Sequence, residues 1–150
     1  MNFFSLLACS LPIWIVAVGP LTAEPLEGWG IDIKAAFKQA KKEDKPVLVE
    51  FTGSEWCPPC IAMRNNVFSK KEFVEAASKQ FVLLELDFGK GHKAPKKNDK
   101  FRRKHTVNGY PTIVLFTAEG EEFSRFIASR YPTIDKFLAH LDGELGKMGD

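Results

Sequence analysis

Residues 46–60 read PVLVEFTGSEWCPPC. Pro46 to Phe51 form a β-rich run that is apolar on both alternating faces except at Glu50. That pattern marks a central strand covered on both sides. Thr52-Gly53-Ser54 punctuates the run. Proline is tolerated in the first turn of a helix and pre-sets its φ angle. Pro58 and Pro59 therefore start a helix that continues through Ile61, Ala62 and Met63. Two cysteines stand three apart where the buried strand turns into this helix.

Working outward, residues 31–42 (IDIKAAFKQAKK) predict an amphipathic helix with Ile33, Phe37 and Ala40 on one face. Asp32 lies near its start and Lys41-Lys42 at its end, as the helix dipole favours. Ser69-Lys70-Lys71-Glu72 has capping-box spacing before Phe73, Val74 and Ala77. Phe81 to Asp87 predicts a second buried strand, and Phe88 to Asp99 a loop rich in Gly, Pro and Lys. A short helix is expected over Lys100 to His105. Gly109-Tyr110-Pro111 marks a turn, and Thr112 to Phe116 a third strand that returns as a hairpin through Glu122 to Phe126. Thr133 to Leu145 predicts a final helix. The order α-β-α-α-β-α-β-β-α fits one α/β domain, a three-layer α/β/α arrangement around a central mixed β-sheet.

Trp56-Cys57-Pro58-Pro59-Cys60 is the strongest chemical signal. A C-x-x-C beside a strand–helix junction reads as a redox pair. The attacking species in such chemistry is a thiolate, whereas a free thiol has a pKa of about 8.5. Unpaired N–H groups and the positive dipole end at a helix N-terminus favour the anion at Cys57. Cys60, one turn further in, resolves the mixed disulfide. The alternatives are an inert disulfide and half of a zinc site. A two-residue spacer constrains the unfolded chain little. A zinc site needs about four ligands, and His92, His105 and His140 are the only histidines. Glu50 interrupts an apolar strand, where an unpaired carboxylate is costly and its pKa rises. Such a carboxyl can take the proton of Cys60; the alternative is a strand-end glutamate facing solvent.

PVLVEFTGSEWCPPC, followed about fifty residues later by VNGYPT (residues 107–112), resembles thioredoxin. It is more similar to exported thioredoxin-like proteins whose first strand runs into a Thr-Gly-Ser-acid-Trp-Cys turn. The resemblance covers residues 31–145 and implies a thioredoxin fold with thiol:disulfide oxidoreductase activity. It implies Cys57 as nucleophile, Cys60 as resolving cysteine and Glu50 as the buried acid behind it. Trp56 and Pro58 beside the pair, with Tyr110 and a cis Pro111, are implied as the substrate-binding residues. No metal and no organic cofactor are implied. The implied partners are protein or peptide disulfides and an upstream thiol donor or acceptor, met by a monomer. Two features depart from thioredoxin. The dipeptide is Pro-Pro rather than Gly-Pro, which tunes redox potential. The lysine of the next strand is also missing, with Glu85 the only charge from Val82 to Leu86. The reducing direction is favoured. A disulfide-introducing oxidant, or a peptide-binding module with incidental redox chemistry, are the alternatives.

Phe3 to Leu21 is apolar and uncharged, and Thr22-Ala23 follows. This predicts a signal peptide over 1–23 cut after Ala23, an exported domain over 24–150, and a periplasmic or secreted location that permits disulfides. The run is also long enough for a retained membrane anchor, and Leu6-Leu7-Ala8-Cys9 resembles a lipidation box. Across 150 residues the composition is 45% hydrophobic and 27% charged, which excludes wholesale disorder. Three cysteines are too few for a disulfide-scaffolded mini-protein. The net charge of +2 gives no drive toward nucleic acid. That near-neutrality hides a basic segment, Lys90 to Lys104, in an otherwise acidic chain. With Phe101 its one aromatic, the segment lacks base-stacking platforms. It reads as a solvated loop, or as a docking surface for an acidic partner or anionic membrane.

Overall fold

The computed structural model describes residues 24–89 and 96–148. The expected signal peptide, with Cys9, and residues 90–95 of the basic segment lie outside the described residues. Four strands form one mixed sheet in the order β2-β1-β3-β4. β1 (Val47–Thr52) is central, parallel to β2 (Val82–Asp87) and antiparallel to β3 (Thr112–Phe116), which pairs with β4 (Glu122–Ile127). Every residue of β1 is buried, as its two-sided apolar pattern requires.

Strand alternation divides the core into two layers. Val47, Val49 and Phe51 face one side, with Leu84, Leu86, Val114 and Phe116. There they meet α1 (Ile33–Glu43) through Ala36 and Ala40, and α4 (Lys96–Lys104) through Phe101. Leu48, Leu83, Ile113 and Leu115 face the other side. They are covered by α2 (Pro58–Met63), α3 (Lys71–Ala77) and α5 (Ile134–Leu145). Phe68, Phe73 and Phe137 interlock in this second layer with ring centroids 5.2 to 5.6 Å apart. Glu50 belongs by alternation to the α2 side.

α1 begins at Asp32, whose carboxylate accepts from Ala35 N at 2.9 Å, and ends at Asp44 in the left-handed region, φ 52°. α5 is capped by Thr133. The capping-box spacing at Ser69 does not operate. Lys70 is the N-cap of α3 and makes no side-chain cap bond, because Ser69 closes the preceding π-helical stretch, Arg64–Phe68. α4 starts at Lys96 rather than Lys100. Residues 24–30, which show no periodicity, run beside β2. Gly30 bridges to Leu84, and Leu26 and Trp29 are buried in the second core layer. Trp29 Nε1 donates to Phe68 O at 3.2 Å. Among the described residues, no helix is long and apolar enough to cross a membrane.

Candidate active site

β1 ends at Thr52, and Gly53 to Trp56 turn the chain into α2. Gly53 O accepts from Trp56 N at 3.2 Å and from Cys57 N at 3.0 Å. Cys57 is the N-cap of α2, with extended backbone and no side-chain cap bond, and proline opens the helix as expected. Cys57 and Cys60 are joined in a disulfide, with Cα atoms 5.2 Å apart. Cys57 retains 5% of its surface and Cys60 none. Pro58 is exposed beside the pair. Among the described residues, no group of three or more His, Cys, Asp or Glu side chains could hold a metal ion.

Trp56 is 42% exposed and anchored at its polar end, where Nε1 donates to Phe88 O at 2.8 Å. Its ring meets Tyr110 edge-on, with centroids 5.7 Å apart, and Tyr110 lies 5.6 Å from Phe88. The Tyr110–Pro111 peptide bond is cis. Pro111 is buried, and its carbonyl accepts from Ala128 N at 3.0 Å. Burial pushes the Tyr110 phenol above its ordinary range. The turn Ala128–Arg130 packs against α2, and Ile61 and Ile127 add exposed apolar surface.

Gly53 has a steric role that its place in a turn does not reveal. A Cβ there would lie 2.6 Å from Trp56 Cε2 and 2.8 Å from Nε1. Gly53→Ala therefore displaces the indole and breaks its bond to Phe88, at a cost of about 1 kcal/mol. The Trp56 indole N–H resonance should shift and thermal stability should fall. An unmoved resonance sinks this reading of Gly53.

Glu50 is 1% exposed, and neither carboxylate oxygen has a hydrogen-bond partner. Burial, and next the charge of Glu85, push its carboxyl well above the ordinary range, with Thr52 and Arg64 pulling the other way. Glu85 is buried too, and burial pushes it upward against the opposing pull of Arg64 and Leu26 N. Asp87 continues this acidic row, accepting from Ser54 N at 3.1 Å and from Ser54 Oγ. The row occupies the α2 side of the sheet, at the strand ends nearest Cys57.

Of the residues expected from sequence, the structure joins Cys57 to Cys60, sets exposed Pro58 between them, packs Trp56 against Tyr110 next to Pro111, and buries Glu50 in β1. Sequence reasoning misses Phe88 as the support of Trp56, and Arg64 as the partner of Glu85. A signal for the second existed. Arg64 is the one charged residue between Glu55 and Lys70, just as Glu85 is alone in its apolar run.

The thioredoxin-like domain family matches residues 33–143, from the first turn of α1 into the third turn of α5. The disulfide bond reductase DsbH of Chlamydia pneumoniae is 32% identical over 94 residues, covering 60% of this chain and 57% of that protein. The thiol:disulfide interchange protein DsbD of Klebsiella pneumoniae is 29% identical over 148 residues, covering 86% of this chain and 24% of that protein. The chain thus spans little more than half of the first relative and a quarter of the second. A solved structure of a DsbH oxidoreductase superposes with a TM-score of 0.71 at 25% identity, covering 95% of both chains. Matched along nearly all of its described length in sequence and topology, the chain belongs to the thioredoxin-like family.

Proposed function

We propose that this protein is an exported thiol:disulfide oxidoreductase that works in the reducing direction on protein or peptide disulfides. The observation that carries the reading is the Cys57–Cys60 disulfide at the N-terminus of α2, with Cys57 keeping 5% of its surface and Cys60 none. The name of the DsbH relative, a disulfide bond reductase, supports the direction. Export rests on the apolar, uncharged run Phe3 to Leu21.

The cycle balances over two exchanges. A donor thiolate attacks Cys57 Sγ, the Cys57–Cys60 bond breaks, and Cys60 leaves as a thiolate that takes a proton from Glu50. A second donor thiol releases Cys57 and leaves as a disulfide with the first. The Cys57 thiolate then attacks a substrate disulfide, forming a mixed disulfide and expelling one substrate thiolate. Cys60 gives its proton to Glu50, attacks Cys57 Sγ and expels the second substrate thiolate. The substrate gains two electrons and, from water, two protons. Trp56, Pro58 and Tyr110-Pro111 hold the extended substrate against the pair.

The reduction potential tests the direction. Equilibration with dithiothreitol or glutathione buffers, followed by thiol trapping, should give about −270 mV, as for a reductant. A value near about −120 mV marks an oxidant and overturns the proposed direction.

A further inference from the structure

Glu50 and Glu85 are Cα partners across the parallel β1–β2 ladder. Neighbouring strands run about 4.8 Å apart, so the register sets two carboxyl groups side by side on the α2 face. Their surroundings differ. Arg64 Nη1 donates to Glu85 Oε1 at 2.5 Å, and Leu26 N donates to Glu85 Oε2 at 3.2 Å. Glu50 has a partner on neither oxygen. Two adjacent buried carboxyls served by one cation cannot both carry charge cheaply. The cation and the backbone donor both serve Glu85.

Arg64 is held in place by the helix that carries the cysteines. Its backbone N–H bonds to Cys60 O and Ile61 O, and it opens the π-helical stretch, where Ser69 N reaches Arg64 O at 2.9 Å. π-Helical turns of this kind occur frequently at functional sites. The groups acting on Glu50 are Glu85 and Asp87 from β2, Arg64 from the helix and Thr52 from its own strand. β3 presents only Ile113 opposite. α2, which covers this side of the sheet through Met63, also carries the fully buried Cys60.

We propose that Glu85 and Arg64 are positioning residues for disulfide exchange: together they confine the single negative charge of the buried pair to Glu85 and leave the proton on Glu50. This rests on the reading that Glu50 trades a proton with Cys60. When Cys60 leaves as a thiolate, the proton moves from Glu50 to sulfur and two carboxylates face each other. Their repulsion favours the return of that proton from Cys60 to Glu50 as Cys60 attacks Cys57. One proton shuttles, and none is lost.

The test is a 13C NMR titration of the Glu50 and Glu85 carboxyls in the disulfide form of the whole chain, with wild type, E85Q, R64Q and R64K. Glu85 should ionise before Glu50 in wild type. E85Q should lower the Glu50 midpoint by about one pH unit or more, the scale of a like-charge neighbour. R64Q should raise the Glu85 midpoint by a similar amount, and R64K should keep the wild-type order. The inflection in the rate of disulfide reduction by dithiothreitol should move with the Glu50 midpoint in E85Q. Glu50 ionising first, an unmoved midpoint in E85Q, or a rate profile that ignores the moved midpoint each overturns the proposal. A titration that follows expectation in a protein that fails to reduce protein disulfides counts against the proposed function instead.

Discussion

Cys57→Ser should reduce disulfide exchange to the uncatalysed background, whereas Cys60→Ser should keep the first attack and lose its resolution. The asymmetry comes from geometry. Cys57 is the N-cap of α2 and retains some surface, while Cys60 is sealed one turn inside. A hydroxyl in place of the Cys57 thiol supplies no comparable nucleophile near neutral pH, where a free cysteine is already a few per cent thiolate. With Cys60 removed, the mixed disulfide has no internal route to release. It should accumulate as a covalent complex, visible by non-reducing electrophoresis and intact mass, and vanish on adding a reductant. Trapping through Cys60 in a Cys57→Ser protein reverses the assignment. Absence of trapping from either variant favours a peptide-binding module over an enzyme.

Glu50→Leu should slow exchange by about a hundredfold or more, the scale of a positioned acid–base group. The same change should stabilise the protein. An unpartnered buried carboxyl costs about 1–3 kcal/mol, and an apolar side chain of similar volume suits a strand whose neighbours Leu48, Val49 and Phe51 are wholly buried. The gain depends on pH in a definite sense. Glu50 binds its proton more tightly folded than unfolded, where the ordinary value is 4.5. Its contribution to stability is therefore complete below that value and is lost as pH rises through the folded one. The leucine variant lacks this loss, so its advantage in urea unfolding should widen from pH 4 to pH 8. An advantage that stays flat or narrows contradicts the buried, proton-holding state of Glu50.

Local chemistry made much of the fold legible. Val47 to Phe51 could only be a two-sided strand, and Pro58 and Pro59 could only begin a helix beside the cysteines. What escaped depends on distant partners. Leu26 and Trp29 carry no periodicity, and they are fixed by an edge of β2 more than fifty residues away in sequence. α4 has almost no apolar pattern to betray its first turn, since Asn98 is its one buried residue. Ser69 has the spacing of a cap, but a π-helical turn ends on it and moves the start of α3 by one residue. Glu50 announced itself as an oddity in an apolar strand. Arg64 stands out in the sequence as a lone charge, but its pairing with Glu85, twenty-one residues away, is set by the tertiary fold.

The basic helix also acquires a character that its charge did not suggest. α4 rests on the sheet through Phe101, stacked on Phe51 at 6.2 Å and tilted against Phe116 at 5.7 Å. Lys97 pairs with Asp32 at the start of α1, and Arg102 reaches Val107 O at 2.9 Å. Around these few ties the helix is polar and wet. α5, by contrast, buries Phe137 and Leu141. Stability within a domain is uneven, and segments with few buried apolar contacts open at a fraction of the global cost. α4 thus belongs to the thinly buried part of the fold, joined to the core through one aromatic side chain and a few polar ties where α5 is joined by a packed apolar face.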